Sequence, residues 1–290
     1  MQGILIVDKP VGFTSFDVIA KLRGICKTKK IGHSGTLDPM ATGVLPVFIG
    51  NAAKAVDMQV NHDKTYLATV RFGLCTDTGD ITGTVLETSD AAVSEAMLTA
   101  ALPHFVGPQK QLPPMYSAVK INGQPLYKAA RKGIEIARTP RDIVIHSIVY
   151  QGAAGENSFC FEVSCSKGTY VRVLCEDIGK ALGVPATLAA LRRTKAGVYT
   201  EAGAVGFAEI QAAKDAGTLE SLLQPVESCF MHLPLLAVDD AEAKRLLNGA
   251  AGPTKQADGD YRIAHGGLFL GLATVQNGEL HVKKLFCERE

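Results

Sequence analysis

Gly32-His33-Ser34-Gly35-Thr36-Leu37-Asp38-Pro39-Met40-Ala41-Thr42-Gly43-Val44-Leu45-Pro46 sets one carboxylate in a run of glycines, prolines and small residues. Glycines 32, 35 and 43 open backbone angles closed to other residues and let a ligand come close to the main chain. Pro39 fixes its own φ and bars Asp38 from the helical region, so Asp38 is expected on an extended, pre-shaped turn. A chain presents a reactive carboxylate in this way. Asp before Pro is also a common turn starter, and the loop by itself leaves both readings open.

Outward from the loop, 290 residues with 47% hydrophobic content are enough for a full core, as one large domain or a large and a small one. No stretch approaches the ~18 uncharged apolar residues of a membrane span, and the N-terminus lacks a charged segment followed by a long apolar block. The expected location is the cytoplasm. Seven cysteines, at 26, 75, 160, 165, 175, 229 and 287, form no Cys-x-x-Cys pair and no zinc-spaced cluster. They read as reduced core thiols without metal. Cys165 and Cys175, which flank Tyr170 and Arg172, read as structural thiols rather than nucleophiles.

The net charge of +1 argues against a nucleic-acid partner only until its layout is considered. Residues 1–60 carry seven Lys/Arg against four Asp/Glu, 105–145 seven against two, and 166–195 six against two. Residues 201–242 carry one against eight. This asymmetry fits a basic face for RNA with an acidic remainder, while a charge run is also what any solvated surface shows.

Along the chain, Ile4 to Val7 reads as a buried strand, and Thr14 caps a helix with Val18, Ile19, Leu22, Ile25 and Cys26 on one face. Alternation through Tyr66, Ala68, Val70 and Phe72 predicts a strand with Tyr66 at its start, beside a loop rather than mid-sheet. Tyr66 then faces a cleft or fills a pleat. Asn122-Gly123 signals a tight turn, and Pro125, Leu126 to Lys132 and Gly133 a short helix. Strands are expected at Ile143 to Tyr150 and Phe159 to Cys165. A three-turn helix from near Thr169 follows, with Leu174, Ile178 and Leu182 inward and Gly183 at its end. Arg172 falls in that helix's first turn, where the dipole disfavours a cation, so it calls for an anionic partner or lies over the surface. Leu233-Pro234-Leu235 marks a boundary, expected to divide residues 1–230 from 231–290. A short helix from Asp239 to Asn248 and strands at 261–264, 268–275 and 280–286 then suggest a compact β barrel. No repeat or low-complexity segment is present.

The Asp38 run resembles the catalytic motif of the TruB family of pseudouridine synthases, which modify uridine 55 in the T arm of tRNA. Asp8-Lys9-Pro10-Val11-Gly12-Phe13-Thr14-Ser15 is similar to the family's first motif, and Lys64-Thr65-Tyr66 to the segment with its base-stacking tyrosine. Met115 to Lys120, Ser166 to Arg172 and Leu191-Arg192-Arg193 match three more blocks, in the family's order. The resemblance is close from residue 3 to about 230 and looser beyond. There, position and Phe269-Leu270-Gly271-Leu272-Ala273 resemble the family's RNA-binding PUA domain, in a short copy.

The resemblance implies an α+β pseudouridine synthase fold, with a mixed, largely antiparallel sheet crossed by a catalytic cleft and a small C-terminal PUA-like β-barrel domain. It assigns catalysis to Asp38, with Arg172 as its ion-pair partner. Tyr66 stacks on the flipped uracil and is a candidate for handling the C5 proton, while Tyr170 and Leu191 line the base site. His33 matches the histidine that enters the space the base leaves, and is assigned to RNA positioning rather than proton transfer. Lys9 and Pro10 support the loop. Isomerisation needs no redox step and no phosphate energy, and no P-loop, dinucleotide fingerprint or His-Glu metal constellation occurs, so no cofactor or metal is expected. The expected partner is the T-arm stem-loop of tRNA, with no membrane, no obligatory protein partner and a monomeric state. The alternative is a tRNA-binding or tRNA-folding protein without catalysis. A guide-RNA-directed synthase is a third reading, against which stands the absence of long basic tails.

Overall fold

The computed structural model describes residues 1–59, 62–121 and 123–287. Its first strand, β1 (Gly3–Lys9), is buried almost throughout. Helix α1 (Ser15–Cys26) starts at the expected cap: Asp17 N–H donates to Thr14 Oγ1 at 3.0 Å, and Thr14 N–H donates to Asp17 Oδ2 at 2.9 Å. Such reciprocal capping satisfies two otherwise orphaned donors. Val18, Ile19, Leu22, Ile25 and Cys26 form the buried face that their spacing predicts.

Strands β2 (Ile31–His33) and β3 (Thr42–Ile49) bracket the glycine-rich loop. After them come β4 (Lys64–Phe72), β5 (Gly107–Gln111), β6 (Arg141–Gly155), β7 (Ser158–Cys165) and β8 (Ala186–Ala196). They form one sheet in the order β1-β3-β8-β4-β7-β6-β5, with β2 added beside β3 and a short strand, Tyr199–Thr200, beside β8. Only the β3/β8 pairing is parallel. The expected mixed, largely antiparallel sheet is therefore what forms. In β4, Tyr66, Ala68, Val70 and Phe72 are buried while Leu67 and Arg71 are exposed, as alternation requires. Tyr66 stands near the strand's start, but β4 is the middle strand of the path, with Tyr66 opposite Val163 on one side and Arg193 on the other. The expected place of Tyr66 at the strand's start is what forms, whereas the central position of β4 was not legible, because a local alternation pattern carries no information on which strands pair on either side.

Helix α2 (Val171–Leu182) packs on the sheet through Leu174 and Ile178, and Gly183 ends it in the left-handed region. The short helix after Pro125 covers Leu126–Ala130 only, since the chain turns there: the N–H groups of Gly133 and Ile134 donate to the carbonyls of Ala130 and Ala129. Asn122, half of the expected Asn122-Gly123 turn, lies outside the described residues. Lys120–Ile121 and Gln124–Pro125 on either side pair antiparallel. Among the described residues no helix is long and apolar enough to cross a membrane.

The C-terminal part comprises β9 (Leu235–Ala237), α3 (Asp240–Leu247), β10 (Gly252–Pro253), β11 (Gly259–His265), β12 (Leu268–Gln276) and β13 (Glu279–Leu285). Its sheet runs β9-β11-β12-β13-β10. The end strands β9 and β10 are three and two residues long and do not pair with one another, so the sheet is curled and open rather than a closed barrel. It shares a core with the larger part. Phe230, Phe269 and Phe286 gather with ring centroids 5.6 to 6.4 Å apart, against Ile4, Ile6 and Phe48 from β1 and β3. Arg262 reinforces the junction, donating to Glu227 Oε1 at 2.7 Å and to the Leu233 carbonyl at 2.9 Å.

Phe286→Ala removes the ring at the centre of this junction. The expected loss of stability is about 3–5 kcal/mol, typical of Phe→Ala in a packed core. Urea unfolding measures it, and an unchanged midpoint would mean that the two parts stand on separate cores.

Candidate active site

The loop between β2 and β3 is tied down at almost every residue. Ser15, the first residue of α1, accepts the Leu37 N–H at 2.9 Å through Oγ and donates to the Leu37 carbonyl at 3.3 Å. Ala41 N–H donates to the Asp38 carbonyl at 3.1 Å, closing a turn over Pro39, and Gly12 N–H donates to the Pro39 carbonyl at 2.8 Å. Lys9 is fully buried beneath the turn, its Nζ donating to the carbonyls of Phe13 at 2.6 Å, Pro10 at 2.9 Å and Pro39 at 3.4 Å. From β8, Arg193 donates through Nε to the Val44 carbonyl at 2.7 Å and through Nη2 to the Gly35 carbonyl at 3.0 Å. Glycine is required where these partners close in. A Cβ on Gly43 (φ +98°) would lie 2.3 Å from the Arg193 carbonyl oxygen, and one on Gly35 (φ +78°) 3.0 Å from Lys64 Cε.

Asp38 meets the buried Arg172 across the cleft, Oδ2 to Nη2 at 2.9 Å. The two-oxygen fork that an Arg–carboxylate pair often forms is absent, because the guanidinium is shared. Nη2 also donates to the Tyr116 carbonyl at 2.8 Å, and Nη1 donates to the Thr78 carbonyl at 2.6 Å and lies 3.9 Å from Asp80 Oδ2. Asp80 is buried too, and its Oδ1 accepts from the Thr78 hydroxyl and the Thr82 N–H at 3.0 Å each. Two carboxylates thus offset the cost of a cation in the first turn of α2. The N-terminal end of that helix is fixed by Gln111, whose side chain accepts the Tyr170 N–H at 2.7 Å and donates to the Tyr170 carbonyl at 3.1 Å.

Electrostatically, burial dominates. It pushes the Asp38 carboxyl above its ordinary value, with Arg172 opposing and Asp80 reinforcing the shift. The expectation that Arg172 favours the ionised form holds for its own contribution, but desolvation outweighs it. The side chain keeps 37% of its surface open to the cleft, so it is enclosed without being sealed from water. Burial likewise lowers Lys9 to about 8, partly countered by Asp38. Tyr66 and Tyr170 are raised by burial, and Arg193 opposes the shift at Tyr66.

A cavity of about 520 Å³ opens over this pair, lined by Asp38, Tyr66, Tyr170, Arg172 and Leu191. Five of the six site residues expected from the sequence therefore meet in one place. His33 does not line it. It sits on β2 behind Ser34, half-buried, with Nδ1 lacking a partner and its pKa lowered first by burial and then by Arg193. The rim adds Lys64, Lys167, Arg141 and His62, a basic collar around apolar and aromatic walls. Asp80, Arg193 and Gln111 escaped sequence reasoning: Asp80 lies in a Thr-Gly-rich turn that reads as surface loop, and Arg193 had only its place beside Leu191 as a signal. Among the described residues no group of three His, Cys, Asp or Glu side chains is placed to hold a metal ion.

The chain is similar to known proteins along most of its length. Residues 23–171 match the family model described as TruB family pseudouridylate synthase (N terminal domain), and residues 172–231 match the tRNA pseudouridylate synthase B C-terminal domain. A tRNA pseudouridine synthase B from Azoarcus sp. (strain BH72) is 42% identical over 288 residues, 99% of this chain and 95% of the relative. One from Dechloromonas aromatica (strain RCB) is 44% identical over 86% of this chain and 83% of its own length. Among solved structures, a chain of a Cbf5-Nop10-Gar1 complex superposes with a TM-score of 0.74 at 26% identity, covering 99% of this chain and 85% of that one.

Replacing Arg172 by Met leaves Asp38 facing Asp80 without the cation between them. The Asp38 pKa is expected to rise further, since loss of an opposite charge disfavours the ionised form. Carbon NMR titration of the carboxyl follows it directly. A pKa that stays put or falls would show that Arg172 does not hold Asp38 ionised.

Proposed function

The chain belongs to the TruB family of pseudouridylate synthases, RNA-modifying isomerases that convert uridine to pseudouridine in tRNA, and we propose that its target is uridine 55 of the T arm and that Asp38 drives the reaction. The observation that carries this reading is the enclosed Asp38–Arg172 pair at the floor of a cavity walled by Tyr66, Tyr170 and Leu191. A protein that only binds or folds tRNA needs basic surface and stacking, not a carboxylate held beside an arginine.

The reaction breaks the bond from N1 of the base to C1′ of the sugar, turns the base, and joins C5 to C1′. A proton leaves C5 and one is taken up at N1. Three roles suit Asp38: attack on the sugar, attack on the base, or removal of a sugar proton. In each it acts as the carboxylate, so Arg172 serves by opposing the desolvation that favours the neutral acid. A base inside a folded tRNA arm must first be extruded, at a cost of a few kcal/mol. Stacking on the Tyr66 ring returns roughly 1–3 kcal/mol of that. Tyr66 is also the candidate for handling the C5 proton, and Leu191 and Tyr170 suit confinement of the detached base. Lys64, Lys167 and Arg141 suit the phosphates flanking the flipped nucleotide, and His33 a position against RNA beside the loop. The reading includes a monomer working in the cytoplasm on tRNA alone.

Asp38→Asn preserves size and removes the ionisable group. Pseudouridine mapping in an unmodified tRNA transcript is expected to find none with this variant, while T-arm binding stays within about twofold of the parent. Turnover by a verified Asp38→Asn preparation would falsify the catalytic assignment. Affinity of the parent for tRNA should also fall steeply as salt rises, because the basic collar releases phosphate counterions. An affinity indifferent to salt would contradict the collar's role.

A further inference from the structure

Among the described residues Arg193 is the largest side chain with no exposed surface. A guanidinium so enclosed ordinarily sits against a carboxylate. Among the described residues no carboxylate lies within 4.0 Å of it, in contrast to Arg172, which meets two. Its Nε and Nη2 go to the carbonyls of Val44 and Gly35, and Nη1 is buried with no close hydrogen-bond partner among the described residues. Around this unneutralised charge stand Lys9 from β1, His33 from β2, and Lys64 and Tyr66 from β4. Arg193 disfavours protonation of the lysines and the imidazole, and favours negative charge on the Tyr66 oxygen. The other groups bearing on that oxygen are Cys165 of β7, itself pushed up to about 11 by burial, and Asp38 of the loop, and both oppose negative charge there.

We propose that Arg193 is a positioning residue that works through Tyr66: a single guanidinium ties the Asp38 loop, at Gly35, to the tyrosine at the cavity wall and supplies the positive charge facing its oxygen. The inference rests on the proposed function, in which Tyr66 stacks on the extruded base and handles its C5 proton. An arginine does what a lysine cannot at this position. Two nitrogens of its planar fork fix loop and strand, and the third remains for the phenol. The carbonyls of Val44 and Gly35 offset part of the cost of burying the cation, and with no carboxylate among the described residues within 4.0 Å its charge is left to act on the phenol oxygen.

The test places a fluorinated tyrosine at position 66, whose phenol ionises within the range where the protein stays folded, and follows it by fluorine NMR in the full chain. In Arg193→Met the titration midpoint should rise by roughly one unit or more, because the only favourable charge is gone. In Arg193→Lys, which keeps the charge, it should stay near the parent's. If Arg193→Met fails to fold, Arg193→Gln retains donors, removes the charge and is expected to show the same rise. Single-turnover pseudouridine formation on a tRNA transcript should fall at least about tenfold in Arg193→Met with tRNA affinity unchanged. A midpoint unmoved by loss of the charge, or a parent-like rate, overturns the proposal. A parent chain that makes no pseudouridine while the midpoint still shifts would sink the functional reading and leave the Arg193–Tyr66 pairing standing.

Discussion

A guanidinium cannot be taken out of water without partners, since the effective penalty is several kcal/mol per ion, and the burial of Arg172 is the constraint around which the site is built. Its partners come from three separate stretches: Asp38 from the loop before β3, Thr78 and Asp80 from the turn beyond β4, and Tyr116 from the segment before the short helix at 126. Each stretch must arrive in place for the cation to be tolerated in the first turn of α2. The turn carrying Asp80 is itself docked on β8, where Ile81 N–H donates to the Leu188 carbonyl at 2.9 Å and Leu188 N–H to the Gly79 carbonyl at 3.1 Å. Folding of the large sheet and assembly of the site are in this sense one event.

Strand β8 links the parts. Leu188 holds the Asp80 turn, Leu191 lines the cavity, and Arg193 clamps the Asp38 loop, all within six residues of one extended segment. Its neighbour β4 brings Tyr66 opposite Arg193. The parallel contact between β3 and β8, the one departure from antiparallel pairing among the described strands of the large sheet, sets Gly43 against the Arg193 backbone and fixes where the loop ends. Two arginines thus frame the carboxylate in different ways. Arg172 is neutralised by acidic partners and stabilises Asp38, whereas Arg193 is solvated by carbonyls alone and keeps a net positive charge behind Tyr66.

The C-terminal sheet is coupled to this scaffold through apolar contact rather than through the cleft. Phe286 and Leu272 lie in one cluster with Ile4 and Ile6 of β1 and with Val44 and Phe48 of β3, the strand into which the Asp38 loop runs. Burying these rings removes apolar area from water on both sides of the connection at 231–234, so each part covers a face that the other would leave exposed.

What the sequence determined by itself was local or carried by contiguous motifs. The Thr14 cap and its apolar face, the alternation of β4, the glycine stop of α2 and the placement of Asp38 in a constrained turn all follow from neighbours along the chain, where steric and hydrogen-bonding rules act over a few residues. The family resemblance carried by its motifs also implied one site for Asp38, Tyr66, Tyr170, Arg172, Leu191 and His33, and the first five line one cavity. Tertiary structure alone decided the rest. The central position of β4, the open edge of the C-terminal sheet, the one-oxygen contact of Arg172 with Asp38, and the parts played by Asp80, Gln111 and Arg193 each depend on residues tens of positions apart. A backbone carbonyl such as that of Thr78, Tyr116 or Gly35 looks the same in every sequence, and only folding shows which cation it solvates.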